Sequence, residues 1–202
     1  MAHRDVEPMT SFDPKWEEVH KARTWGRFPS EHLIRFVFRN FKKPFKNYSA
    51  LDIGCGAGAQ TRFLADEGFA TIGVDGSPAA IARCCGRPKY MVADAVALPF
   101  ANAAFDLVVD VCCLQHLDYD DATMAVAEVA RVLKPGGKFF SITARWSDTT
   151  EPDTPMRKLR HAEVGQLYNI AAFSPPVIEH EEYSDRLGSV IVAHWLISSG
   201  KR

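Results

Sequence analysis

The apolar positions of this chain follow two rhythms that alternate from about residue 30 to residue 144. Leu33, Ile34, Val37, Phe38 and Phe41 recur at helical spacing between Pro29-Ser30 and Pro44, which predicts a helix with Ser30 as its N-cap. A short apolar strand over residues 50–53 runs into a glycine turn, and a helix over 60–67 ends at Gly68. The unit then repeats. Residues 70–75 read as a second strand, and Ser77-Pro78 opens a helix reaching about residue 85. Residues 90–94 read as a third strand, 95–102 as a loop and 105–111 as a fourth strand. The fourth is nearly all apolar, as a central parallel strand should be. A helix over 120–133 presents Met124, Val126, Val129, Ala130 and Leu133 to the core. Lys134-Pro135-Gly136-Gly137 stops it before a fifth strand over 138–143. Strands alternating with helices predict an α/β fold with a parallel, doubly wound sheet.

The rhythm changes after Ala144. Residues 147–155 read as a polar loop, 159–173 as a helix, and 177–183 and 189–197 as two strands close enough to form an antiparallel hairpin at the sheet edge. At 202 residues the chain is read as one domain. Residues 29–145 are its core, 146–202 the acceptor-side loop, helix and hairpin, and 1–28 an N-terminal arm or lid. In that arm residues 1–11 look loosely attached, while Phe12, Trp16, Trp25 and Phe28 are large aromatics that usually dock on something.

Charge narrows the function. Net charge is −1 with no basic excess, so no nucleic-acid footprint is indicated. The N-terminus lacks the apolar core of a signal peptide, and no apolar run approaches the ~20 residues of a membrane span. A cytoplasmic location, no membrane partner and a monomer or homodimer are expected. The five cysteines include two adjacent pairs, Cys84-Cys85 and Cys112-Cys113. This pattern argues against a disulfide framework and a zinc site, and the thiols read as small buried residues of a reduced compartment. No metal is expected.

The chemistry gathers at the strand ends. Asp52 is followed by Gly54, Cys55, Gly56 and Gly58. Glycines there allow positive φ and close approach of backbone to a ligand, and the next helix offers free N–H groups. The turn also fits a dinucleotide fingerprint. Asp75 and Asp94 close the second and third strands, and ligands of open α/β sheets sit at the carboxyl ends of strands. Capping of the segments that follow is the simpler reading of each of these two acids.

Five stretches in order, Leu51-Asp52-Ile53-Gly54-Cys55-Gly56-Ala57-Gly58, Val74-Asp75-Gly76-Ser77, Asp94-Ala95, Phe105-Asp106-Leu107-Val108 and Leu133-Lys134-Pro135-Gly136-Gly137, together resemble the class I S-adenosylmethionine-dependent methyltransferases. The nearest look is to the compact single-domain enzymes that act on small molecules. The resemblance implies a Rossmann-like sheet of seven strands, mostly parallel, with the last inserted antiparallel. It implies S-adenosyl-L-methionine as cofactor and a small-molecule acceptor. It places Gly54, Cys55, Gly56 and Gly58 at the methionine part of the cofactor, Asp52 at its amino group and Asp75 at both ribose hydroxyls. Gly76 and Ser77 come beside the adenine, Asp94 and Ala95 at the adenine amino group, and Cys112 with Cys113 against the cofactor. Asp110-Val111-Cys112-Cys113 departs from the N/D-P-P-Y/F tetrad of amino-methylating enzymes, which points away from adenine, cytosine or glutamine acceptors; methylation at oxygen of a small molecule is the expected reaction.

His116, just past the fourth strand, is the candidate general base for an acceptor that must lose a proton, and packing or capping is its simpler reading. Arg23, Trp25 and Gly26 are candidates for a lid that closes on the cofactor, with Arg27 close by. Arg145 and Trp146 are candidate acceptor contacts. They head a stretch containing Arg157, Lys158, Arg160 and His161 that suits an acidic acceptor, although a solvated helix face explains it equally. Two alternatives stay open. One is an NAD(P)-dependent reductase of similar fold, which shares the glycines but leaves Asp94 unexplained. The other is a non-catalytic cofactor-binding partner subunit.

Overall fold

A computed structural model describes residues 11–24, 26–144, 160–169, 171–184 and 190–202. Seven strands, β1 (Ser49–Ile53), β2 (Ala70–Asp75), β3 (Lys89–Val92), β4 (Phe105–Val111), β5 (Leu133–Ala144), β6 (Val177–Ser184) and β7 (Val190–Gly200), form one sheet in the order β3-β2-β1-β4-β5-β7-β6. β1 to β5 pair in parallel. β7 lies antiparallel between β5 and β6. The expected fold is present, and its hairpin exposes β6, not β7, as the sheet edge.

The sheet is covered on both sides because side chains alternate along each strand. Ala50, Leu107, Val109, Phe140 and Ile142 pack with Leu33 and Val37 of α2 (Glu31–Asn40) and Leu64 of α3 (Ala59–Glu67). Leu51, Ile53, Val108 and Phe139 pack with Ala122, Val126 and Val129 of α5 (Tyr119–Val132) and with Val164 and Leu167 of α6 (His161–Tyr168). On this second face a buried polar chain crosses the core. The Tyr168 hydroxyl lies 2.9 Å from Ser141 Oγ, and Ser141 donates at 2.6 Å to Asp110.

Several boundaries differ from those expected. The arm carries a helix, α1 (Lys15–Ala22), and α4 (Pro78–Ala82) is shorter than its pattern. Ser77 caps α4 by accepting from Ala80 N–H at 3.0 Å. The next turns tighten into i→i−3 bonds, Arg83 to Ala80 and Cys84 to Ile81, ahead of Gly86 at φ +96°. Ser30 precedes α2 without a side-chain cap bond. Lys134-Pro135-Gly136-Gly137 belongs to β5 and is not a loop before it. Leu133 pairs with Phe105, a bulge follows, and Gly136 at φ +78° donates to Lys201 O. α6 spans residues 161–168, less than the apolar pattern of 159–173. The thiols are not uniformly buried: Cys55 is, Cys84, Cys112 and Cys113 are partly so, and Cys85 is exposed. Among the described residues, no helix is long and apolar enough to cross a membrane and no acid, His and Cys group could hold a metal.

Asp52 sits mid-sheet in β1, buried, and accepts from Thr61 Oγ of α3. Desolvation pushes its carboxyl up to about 7, against the Thr61 hydrogen bonds, with Asp110 and Asp75 adding repulsion.

Leu51 is fully buried between neighbouring strands and α5, so Leu51→Ala is expected to cost about 2–5 kcal/mol in urea denaturation. Because the folded carboxyl of Asp52 titrates higher than an unfolded one, the folded state binds more protons between about pH 4 and 7. Stability attributable to this group is therefore full at about pH 4 and falls as pH rises to about 7. Relative to the parent, Asp52→Asn is expected to become progressively more stable across that window in denaturation series at stepped pH. A constant difference would place the titration elsewhere.

Candidate active site at the carboxyl ends of the central strands

The loops after β1, β2, β3 and β4 and helix α1 enclose one cavity. Its wall includes Gly54 and Gly56 after β1, Asp75 and Gly76 after β2, Asp94 and Ala95 after β3, and Cys112, Cys113 and His116 after β4. The floor comes from Val74, Ala93 and Val111.

Asp110 builds the β4 side. Its carboxylate accepts from the backbone N–H groups of Cys113 at 2.8 Å and Leu114 at 3.2 Å, and from Ser141. Burial pushes this carboxyl up to about 6, against those bonds. The result is a tight corner in which Cys112 takes φ +63°, unusual for a residue with a Cβ. Cys113 is thereby laid over Gly54, where a Cβ would collide with the Cys113 side chain. Gly54 itself has φ +63°, so both backbone and neighbour demand glycine. The 3-10 turn Leu114–His116 then carries His116 to the cavity. Gln115 is fixed there because its Oε1 accepts from Ala144 N–H at 2.6 Å, which leaves its amide nitrogen 3.3 Å from His116 Nε2.

Asp75 is the polar centre of the opposite wall. It is buried and accepts from Gly56 N–H and Ser77 N–H, both at 2.9 Å. One bond to each oxygen leaves further lone pairs for a ligand. Asp94 accepts from Val96 N–H at 3.2 Å.

The arm closes the cavity. Glu17 accepts from Ser77 Oγ and from Ala79 N–H at the start of α4, and these bonds hold its carboxyl below the usual range. Arg83 binds the end of α1, donating at 2.6 Å to His20 O and at 2.8 Å to Lys21 O. Trp16 meets the His116 ring edge-on at 4.4 Å. Phe12 lies against Gly76, where a Cβ would collide with its ring, and Ser11 donates to Asp94 through N–H and Oγ. His20 is buried in the wall with Nδ1 unpartnered, and burial lowers its tendency to protonate despite Asp75 nearby.

Of the residues singled out from sequence, Gly54, Gly56, Asp75, Gly76, Asp94, Ala95, Cys112 and His116 line this cavity. Asp52, Cys55, Gly58 and Ser77 do not. Asp52 is bonded to Thr61, Cys55 is buried behind the loop, and Ser77 caps α4. Gly58, at φ +80°, makes room for Tyr90, whose Oη would stand 2.7 Å from a Cβ. Arg23 is exposed outside the wall, while Trp25, Arg145 and Trp146 lie outside the described residues. The arm residues in the wall are instead Ser11, Phe12, Asp13, Trp16 and His20. The aromatic content of residues 12–28 signalled a docking segment, but only the turn of α1 selects which aromatics face inward.

Residues 51–141 match the methyltransferase domain family. The chain is 30% identical over 182 residues to O-methyltransferase cnsE of Penicillium expansum, covering 85% of this chain and 61% of that protein. It is 29% identical to the 2-methyl-6-phytyl-1,4-hydroquinone methyltransferase of Synechocystis sp., with 74% of this chain and 50% of that one covered. It therefore spans about half to three-fifths of the length of these curated relatives. In fold it is similar to a SAM-dependent methyltransferase of Methanosarcina mazei, with a TM-score of 0.68 at 20% identity over 82% of this chain and 96% of that one. Ordered motifs at the ends of β1 to β5, the antiparallel β7 and these relatives converge: residues 51–141 match a methyltransferase domain, in a fold similar to that of the class I S-adenosylmethionine-dependent methyltransferases.

Proposed function

We propose that this protein is an enzyme that moves a methyl group from S-adenosyl-L-methionine to a small-molecule acceptor, at oxygen. The observation that carries the reading is the cavity wall itself. Asp75 has acceptor capacity left after its two backbone bonds, Asp94 stands one strand away, and His20 Nδ1 is buried without a partner. That donor and acceptor set fits a ligand rich in hydroxyl and amino groups. In this reading Asp75 receives the ribose hydroxyls, Asp94 the adenine amino group, and the backbone at Gly54 and Gly56 the methionine part. The bound cofactor supplies a methyl group on a positively charged sulfur.

Alignment of the two reactants is the main contribution asked of the protein, worth up to about 7–11 kcal/mol when reacting atoms are held in place. His116 takes the acceptor's proton at Nε2, exchanging its contact with the Gln115 amide for one with the acceptor hydroxyl. Trp16 and the Gln115 side chain keep the ring at the cavity. Residues 1–28 act as the lid over a core of residues 29–145. Ser11 already fills acceptor positions on Asp94 that an adenine amino group needs, so the tip of the arm withdraws when the cofactor enters. In this reading residues 146–202 serve the acceptor, and Arg145 and Trp146 are its proposed contacts.

Calorimetry with S-adenosylmethionine and S-adenosylhomocysteine tests the cofactor, and turnover of a panel of phenolic and other hydroxyl compounds tests the reaction. Binding of NADH with neither of these would overturn the reading. Asp75→Ala is expected to weaken S-adenosylhomocysteine binding by about 1.5–3 kcal/mol, the worth of hydrogen bonds to a charged group. An unchanged dissociation constant would leave Asp75 only its bonds to Gly56 and Ser77. His116→Ala should lower turnover of a hydroxyl acceptor by about 10²–10⁴-fold while cofactor affinity holds. Loss of cofactor binding or of folding in that variant would mark His116 as a structural part of the turn.

A further inference from the structure

Behind the cavity, the carbonyl of Gly56 faces two thiols. Cys84, just past α4, contacts Gly56 O through its sulfur at 3.3 Å, and Cys55 Sγ lies 3.8 Å from the same oxygen. Both sulfurs thus lie against one carbonyl oxygen, and Cys84 also reaches Ala80 O at 3.5 Å. Cys55 is buried, and Cys84 is partly open to solvent. The adjoining segment is held close to the loop: Tyr90, packed against Gly58, donates to Cys85 O at 3.2 Å, and Arg62 donates to Ala57 O. The proposed transfer chemistry uses neither sulfur.

We propose that Cys55 and Cys84 form a redox-active dithiol, which hydrogen peroxide converts to an intramolecular disulfide tying the glycine loop after β1 to the end of α4. Cys84 is the attacking member because it is the accessible one. The neighbouring Cys55 side chain and the Arg62 guanidinium favour its thiolate, while burial, Asp75 and Asp52 oppose it. The Cys84 sulfur attacks one peroxide oxygen, the O–O bond breaks, one water leaves and a sulfenic acid forms. Cys55 sulfur then attacks that sulfur and displaces the second water. Two S–H bonds are lost and one S–S bond forms. Both protons and both electrons end in the two waters.

The bridge would act on the site through Gly56, whose N–H holds Asp75 and which itself lines the cavity. Resting on the cofactor reading above, oxidation is expected to weaken S-adenosylhomocysteine binding.

The test uses the full chain, reduced and desalted, then treated with hydrogen peroxide. Of its five free thiols, two should be lost, with the mass lower by two hydrogens. A peptide map should show Cys55 joined to Cys84, and dithiothreitol should restore all five. Cys84→Ser and Cys55→Ala should each abolish the paired loss, and Cys85→Ser should retain it. Affinity for S-adenosylhomocysteine should fall about fivefold or more in the oxidised protein and recover on reduction. A Cys84-to-Cys85 or intermolecular bridge, over-oxidised single thiols, or no loss of thiols would overturn the dithiol. A mapped bridge with unchanged affinity would overturn its control of the cavity. Absence of S-adenosylhomocysteine binding in the reduced protein would count against the cofactor reading alone, since the thiol count and the map still decide the dithiol.

Discussion

One buried carboxylate sets the geometry on which the site depends. Asp110, at the end of the central strand β4, is paired with two backbone N–H groups of its own loop and with Ser141 of the neighbouring strand. Leaving those donors unpaired in the core would cost about 1–3 kcal/mol each, so the chain turns back sharply after Val111. That turn forces Cys112 to positive φ, seats Cys113 on Gly54 and delivers His116 to the cavity. The two loops that meet here follow β1 and β4, adjacent strands at the point where strand order reverses, which is where wound sheets open a crevice.

The second organising element is electrostatic. Asp52, Asp75 and Asp110 end adjacent strands, close enough that Asp75 and Asp110 both push the Asp52 carboxyl upward. The protein manages this crowding in different ways. Asp52 is sealed against Thr61 and Asp110 against Ser141, both with raised carboxyls. Asp75 alone of the three faces the cavity, stabilised by backbone dipoles from two loops. Among the described residues, the wall carries Asp13, Asp75 and Asp94 and no lysine. The arm respects the same logic: Glu17 stays outside the cavity, where it serves the start of α4, and the residues α1 turns inward are aromatic or histidine.

Much of this was written in the linear pattern. The alternation of short apolar runs with amphipathic segments determined a wound parallel sheet, because side-chain period and burial are coupled in both element types. Strand-end acids and glycines determined which residues meet at the cavity, since Asp75, Gly76, Asp94 and Ala95 need only a strand of the right length to arrive at its carboxyl end. The glycine loop alone left a nicotinamide reductase open. The order of five motifs, with Asp94 and the Lys134-Pro135-Gly136-Gly137 run, carried the methyltransferase resemblance. What the tertiary structure decided are the roles that depend on a partner distant in sequence. Gly58 makes room for Tyr90, and Asp52 accepts from Thr61, contacts that no linear pattern displays. Asp110 is visible in the sequence near the end of the fourth strand, but its partner Ser141 is set by sheet register. Phe12, Trp16 and His20 reach the cavity only because Glu17 and Arg83 fasten α1 to α4 across some sixty residues of chain. Local periodicity determines which face an element buries; which distant group meets that face is decided only when the strands pair and the helices dock.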